Sequence, residues 1–281
     1  MNRYGFADYE EKASGYSKAR KAIAVDLVSA LLGNQNVALT DQHILDAGCG
    51  PGTYSLPLAQ VVHSITAFDK SEAMLESLRN VAKGKPNIMP TRGSLAEPLP
   101  FHDNVFDSVL ITQVLHHLTA TNNADHSLIT NFFQECYRVL KPGGRIVIGH
   151  STQPQLFESV WYFCLLPDRV RQQFAARHID HSTLMDLLAE SGFRVVGRVA
   201  VLGEVFQPEA YFCEEGPLSE RWRDSNSIFE TLSDKELRDV IRHCERLREK
   251  SKLKCFMQEH DQMRQKIGQG AFIWATRQDD K

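Results

Sequence analysis

The chain has 281 residues, 42% of them apolar and 24% charged, with a formal net charge of −3. That composition suits a globular fold with a substantial core and announces neither a nucleic-acid nor a membrane partner. Apolar runs stay well short of the roughly 20 residues needed to cross a bilayer. Six cysteines, at positions 49, 136, 164, 213, 244 and 255, show no C-x-x-C pair or metal-type spacing. Neither a metal site nor a disulfide framework is therefore expected, and the cytoplasm is the expected compartment. The polar, acid-bearing opening segment reads as neither a signal nor a transit peptide.

In chain order, residues 17–32 read as an amphipathic helix ending before Gly33. His43–Ala47 is a short apolar strand closed by a glycine-rich turn. Thr53–Val62 continues as a helix, with Pro57 in its first turn. Ser64–Phe68 is a second strand. A helix over Ser71–Ala82 follows, with Ser71 as N-cap and Met74, Leu75 and Leu78 on one face. Phe106–Thr112 and Arg145–Gly149 are further strands, separated by a helix over Leu128–Leu140 that Lys141-Pro-Gly-Gly144 stops. A helix over Ser182–Glu190 and a strand over Phe193–Val201 come next. About 65 residues of helical character then precede a last strand, Ala271–Thr276. The alternation implies an α/β fold with a mostly parallel sheet covered on both faces.

The sharpest feature is Asp46-Ala-Gly48-Cys49-Gly50-Pro-Gly52, between the first strand and its helix. Its glycines permit a tight turn and remove side chains where backbone must touch a ligand. A dinucleotide fingerprint would place its third glycine at 53, where this chain has Thr53. The leading acid, Asp46, would repel a pyrophosphate but welcome a cofactor ammonium group. Asp69 ends the second strand, where a carboxylate can accept both hydroxyls of an adenosine ribose.

These motifs in this order (DAGCGPG, ITAFDKSEAML, LPFHDNVFDSVLITQVLHHL, RVLKPGGRIVI) resemble the class I S-adenosylmethionine (SAM)-dependent methyltransferases. The likeness is greatest to the ubiquinone/menaquinone-biosynthesis type and its small-molecule relatives, over residues 40–150. The resemblance implies a Rossmann-like, doubly wound seven-stranded sheet with its last strand antiparallel, and SAM at the C-terminal edge of the first strands. Carried over by position, Gly48, Gly50 and Gly52 line the cofactor, Asp46 lies beside its methionine part and Asp69 holds its ribose. Met74 and Leu95 flank the adenine, while Thr112 and Gln113 border the methionine side and the acceptor. Cys49 and Lys70 fall within the same two segments. The family's usual Gly-Asp pair before the LPF segment is Gly93-Ser94 here, so adenine recognition is expected to be led by the backbone. Tyr16 and Arg20 sit where the N-terminal helix of such enzymes folds over SAM.

Methyl transfer from a sulfonium is an in-line displacement, so positioning is worth more than any one side chain. Orientation contributes about 7–11 kcal/mol, against roughly 3–5 kcal/mol from a general base. His116, His117 and His150 are candidate bases, with His178 and His181 just beyond. The chain reads as a single methyltransferase domain. Residues 1–40 form an N-terminal helical cap, 41–203 the cofactor-binding core, 204–268 a helical lid and 269–281 the last strand. The lid is expected to include a helix with the capping box Ser233-x-x-Glu236. Trp161, Tyr162, Phe163, Tyr211 and Phe212 are expected to line the acceptor chamber. Arg238, Arg242, Arg246 and Lys250 form a basic stripe read as a solvated face, so no nucleic-acid partner is expected. The expected function is methylation of a small, partly apolar metabolite; the alternatives are an RNA or protein methyltransferase, or a SAM-binding protein that does not methylate.

Overall fold

A computed structural model describes residues 21–33, 36–119 and 125–278. In chain order its elements are α1 (Val25–Leu32), β1 (His43–Ala47), α2 (Ser55–Leu58), β2 (Ser64–Asp69), α3 (Glu72–Val81), β3 (Ile88–Arg92), β4 (Phe106–Thr112), α4 (Ser127–Val139), β5 (Leu140–His150), α5 (Gln153–Phe157), α6 (Asp168–Ala175), α7 (His181–Glu190), β6 (Phe193–Ala200), α8 (Pro208–Tyr211), α9 (Glu220–Asp224), α10 (Asp234–Glu249), α11 (Leu253–Asp261), α12 (Arg264–Ile267) and β7 (Ala271–Arg277). The seven strands form one sheet in the order β3-β2-β1-β4-β5-β7-β6. Strands β1 to β5 run parallel, and β7 is antiparallel to both β5 and β6. Among the described residues no helix is long and apolar enough to cross a membrane.

Both faces of the sheet are covered, as near-continuous apolar parallel strands require. On one face α4 and α7 bury Phe132, Phe133, Cys136, Leu184 and Leu188 against β4 and β5. On the other, α1, α2 and α3 bury Val28, Leu32, Leu58, Leu75 and Leu78. Each such side chain contributes about 1.5–3 kcal/mol by leaving water, so the sheet is the rigid part on which a site can be held.

Several elements differ from the sequence expectation for identifiable reasons. The first helix starts only at Val25, because Ala24 is left-handed (φ 51°); residues 17–20 lie outside the described residues. The helix after the glycine loop is reduced to Ser55–Leu58, flanked by turns. Lys141-Pro-Gly-Gly144 does not separate α4 from the next strand. Instead β5 begins at Leu140, paired with Phe106, and takes the segment up as a register irregularity before Arg145 pairs with Ser108. Strand β3 (IMPTR) carries Pro90 and lies at the sheet edge, where a missing N–H is tolerated.

Residues 156–174 and 205–257 share a third apolar cluster that includes Trp161, Phe163, Tyr211, Trp222, Val240 and Cys244. The capping box of α10 forms, with Ser233 N–H donating to Glu236 Oε2 at 2.8 Å and Glu236 N–H to Ser233 Oγ at 3.4 Å. This helical insertion is pinned by a buried polar network. Tyr211 donates to Asp261 Oδ1 (2.6 Å), and Arg264 donates to Asp261 Oδ2 (2.9 Å) and to the Leu202 carbonyl (3.1 Å). Because Leu202 lies just past β6, the network ties the insertion to the sheet.

Candidate active site

The C-terminal ends of β1, β2, β4 and β5 open into a cavity of about 330 Å³, the place where open α/β sheets bind ligands. Its floor is the glycine loop. Gly48 and Cys49 N–H groups donate to the Phe68 carbonyl (2.8 and 3.1 Å), which fastens the loop to β2. Gly48, Gly50 and Gly52 all have positive φ (80°, 53° and 88°). Their roles differ. A Cβ on Gly48 would meet Val114 at 2.7 Å, and one on Gly52 would overlap Leu78, whereas one on Gly50 would meet no atom of the described residues within 4 Å. Gly48 and Gly52 therefore serve packing, while Gly50 turns a bare backbone surface to the cavity.

Asp69 clasps this loop. Its Oδ2 accepts from Gly50 N–H (2.8 Å) and its Oδ1 from Ser71 N–H (2.9 Å), and the residue lines the cavity. Each carboxylate oxygen retains a further lone pair for a ligand hydroxyl. Ser71 Oγ in turn caps α3 at Met74 N–H (3.3 Å), placing Met74 on the wall beside Lys70. Asp46 lies beneath the loop and does not line the cavity. Its Oδ2 accepts from Ser55 Oγ (2.6 Å), and its Oδ1 has no hydrogen-bond partner among the described residues. Burial pushes its pKa up to about 6, with nearby Asp69 adding to the shift and the Ser55 bond opposing it.

Across the cavity, Ser94 and Leu95 form part of the wall, with Ser94 Oγ already accepting from Ala96 N–H (3.2 Å). Thr112 and Gln113 lie at the end of β4. Gln113 is held left-handed (φ 51°) by its N–H donating to the Gly149 carbonyl (2.8 Å), and its side chain meets Ser151 Oγ at 3.1 Å. A non-glycine residue in that conformation costs on the order of 1 kcal/mol and persists only where its surroundings fix it.

The structure thus brings Gly48, Cys49, Gly50, Asp69, Lys70, Met74, Ser94, Leu95, Thr112, Gln113, His116 and His117 around one cavity, with Asp46 and Gly52 behind its floor. Tyr16 and Arg20 lie outside the described residues. His150 is not at the wall. It is fully buried, its Nε2 lies 2.9 Å from the Ile179 carbonyl, and desolvation, helped by neighbouring His178, drives its pKa down to about 3.

The insertion closes the far side. Leu156, Val160, Tyr162, Phe163, Phe206 and Ile228 give an apolar wall. Tyr162 donates to Asn226 Oδ1 (3.2 Å) and so joins the two stretches of the insertion at the cavity. Trp161, Tyr211 and Phe212 do not line it. Trp161 Nε1 donates to the Tyr211 carbonyl (2.6 Å) inside the insertion's own core, and Phe212 faces solvent. Sequence reasoning missed Ser151, Gln207 and Gln269 on the wall, because only the tertiary fold brings strand ends and the insertion together.

The family described as "Methyltransferase domain" matches residues 45–148. The demethylmenaquinone methyltransferase of Tropheryma whipplei (strain Twist) is 33% identical over 123 residues, covering 43% of this chain and 46% of that protein. The one from Renibacterium salmoninarum is 30% identical over 179 residues, 63% of this chain and 66% of that protein. Several of these curated relatives are matched over only about half of their length or less. A solved putative methyltransferase from an antibiotic biosynthesis pathway of Anabaena variabilis superposes with a TM-score of 0.69 at 19% identity, covering 93% of this chain and 99% of that one. It shares the fold.

Proposed function

We propose that the chain is a class I SAM-dependent methyltransferase and that it methylates a small, partly apolar metabolite. One observation carries the reading. A single cavity joins the glycine loop and Asp69 to an apolar wall supplied by the insertion. The first half suits an adenosyl cofactor and the second an acceptor held away from water.

The residues fit SAM. Gly50 presents backbone where a Cβ would find open space, Asp69 keeps lone pairs for ribose hydroxyls, and the unpaired buried Asp46 Oδ1 lies below the loop, where negative charge favours a cationic ligand. We assign Gly48, Cys49 and Gly50 to the floor with Gly52 packed behind it, Asp69 and Lys70 to the ribose side, and Met74, Ser94 and Leu95 to the adenine side. Thr112 and Gln113 border the reacting end. SAM supplies the methyl group on a sulfonium, an electrophile needing no further activation. The chain's own contribution is orientation and exclusion of water, with the insertion closing over the strand edge. His116 and His117, on the turn after β4, line the cavity and are candidates, by position, among the histidines that could handle the acceptor's proton. The whole chain acts as one unit, with residues 204–268 serving as the lid.

Calorimetry with S-adenosylhomocysteine (SAH) and transfer of labelled methyl from SAM to an organic-solvent extract of bacterial metabolites test this together. Asp69→Ala leaves ribose hydroxyls and two loop N–H groups without a charged partner, each worth about 1.5–3 kcal/mol. The variant should therefore lose at least a hundredfold in SAH affinity. NADH binding tighter than SAM would refute the cofactor, and SAM binding with no SAH formed from any extract would make the protein a binder that does not methylate.

A further inference from the structure

His178 lies between α6 and α7, its ring stacked against Phe174 (centroids 4.7 Å apart) and His116 (5.1 Å) on the wall of the cavity. Its Nδ1 is 2.9 Å from the Phe174 carbonyl. A carbonyl only accepts, so Nδ1 carries the proton and the neutral ring keeps its lone pair on Nε2. Among the described residues no protein group bonds that Nε2. Burial holds the ring neutral by pushing its pKa down to about 4, assisted by the charge of Arg177. The other titratable groups around it are His116 and His117 after β4, and His150 behind it with its ring centroid 6.0 Å away.

A second observation concerns charge. Among the described residues, the charged side chains lining the cavity are Lys21, Asp69 and Lys70, all beside the glycine loop or the mouth. The described lining residues drawn from 112–118, 151–178 and 206–269 include no Asp, Glu, Lys or Arg. An acceptor carrying a carboxylate, ammonium or phosphate would lose its hydration there with no counter-charge among the described lining residues. A hydroxyl, in contrast, has a ready acceptor at His178.

We propose that His178 Nε2 accepts a hydrogen bond from a hydroxyl of the methyl acceptor and removes its proton, and that this acceptor is an uncharged, largely apolar hydroxyl compound. The assignment rests on the methyltransferase reading above. In the step, the acceptor oxygen forms its bond to the methyl carbon as the carbon–sulfur bond breaks. The bonding pair stays on sulfur, and the hydroxyl proton passes to Nε2. One positive charge disappears at sulfur and one appears on the imidazole, so the enclosed site keeps its net charge.

The test uses three naphthalene probes with the SAH-loaded protein: 2-naphthol, its methyl ether and 2-naphthoate. The wild type should bind 2-naphthol at least tenfold more tightly than either of the others. His178→Phe keeps the stacking ring without a lone pair, and His178→Leu removes ring and lone pair together. Both should erase the preference while leaving SAH affinity within threefold. If the variants fail to fold, ¹⁵N-histidine NMR of the wild type decides: His178 should be the Nδ1–H tautomer, with its Nε2 resonance moved by 2-naphthol and not by the ether. The proposal is overturned by equal binding of naphthol and ether, by absent naphthol binding, by tightest binding of naphthoate, by the Nε2–H tautomer, or by folded variants that keep the preference. Failure of SAH itself to bind refutes the methyltransferase reading instead, which separates the two.

Discussion

Gly50→Ala separates ligand binding from folding more cleanly than any other change in the glycine loop. The backbone there has φ 53°, which costs a residue with a Cβ about 1–2 kcal/mol. Restricting the unfolded chain returns about 0.4–1 kcal/mol of that. No atom of the described residues lies within 4 Å of the added methyl, so no packing penalty follows from them and the net loss of stability should be about 1 kcal/mol. The methyl projects instead into the space assigned to the cofactor, where overfilling a close contact costs about 1–3 kcal/mol, or roughly 5- to 150-fold in affinity. Gly52→Ala is the control. Its φ is 88° and its Cβ would overlap Leu78 in the core, so its losses should appear in stability first. Urea unfolding of each variant and calorimetry with SAH measure both quantities. A Gly50→Ala protein that binds SAH within threefold of wild type would place the cofactor elsewhere.

Four further outcomes are expected. His150 and His178 have folded pKa values near 3 and 4, below the unfolded 6.5, so the stability they contribute is complete above pH 6.5 and is lost as pH falls toward those values. Asp46 acts oppositely. With its pKa raised from 3.8 to about 6, it withdraws about 3 kcal/mol as pH rises through that window, so Asp46→Asn should stabilise the ligand-free protein at pH 7.5 and not at pH 4 in urea titrations. Tyr211→Phe removes the bond to Asp261 and should cost about 1–2 kcal/mol in thermal unfolding, with SAH affinity held within a few-fold; a collapse of SAH affinity would place Tyr211 in the cofactor site. The basic stripe of α10 is solvent-facing, and Arg242 is already paired with Asp239 (3.0 Å), so no specific RNA complex should form at physiological salt; a micromolar complex lost on Arg238, Arg242 and Arg246→Glu would favour the RNA alternative.

The parallel core was legible because its signals are local. Apolar runs bounded by glycine or acid mark β1, β2 and β4, and Ser71 caps α3 through a bond to a residue three positions on. Asp46, Asp69 and the three glycines were found the same way, from chemistry packed into one turn. Strand β3 was invisible because Pro90 and its alternating burial read as loop, and its pairing with β2 is a long-range fact. The insertion was legible as helices and as an apolar mass, but not in its facing. Tyr162 and Trp161 are adjacent in sequence, yet one lines the cavity and the other is spent on the Tyr211 carbonyl. Short 3₁₀ turns carry no long period from which a facing could be read. His178 was visible as a histidine; its tautomer and its stack required the fold.

Strand β7 returns beside β6, and Ala200 pairs directly with Ala271, so the long excursion between them begins and ends about one strand spacing apart, about 4.8 Å. Topologically the excursion is an overgrown hairpin loop, and its length costs the sheet little, since closure entropy grows only as the logarithm of length. The length of the segment above the sheet is therefore only weakly constrained by the sheet itself. Under the proposed function the sheet would hold the methyl donor, while the excursion could be lengthened, replaced or trimmed without moving the strand ends.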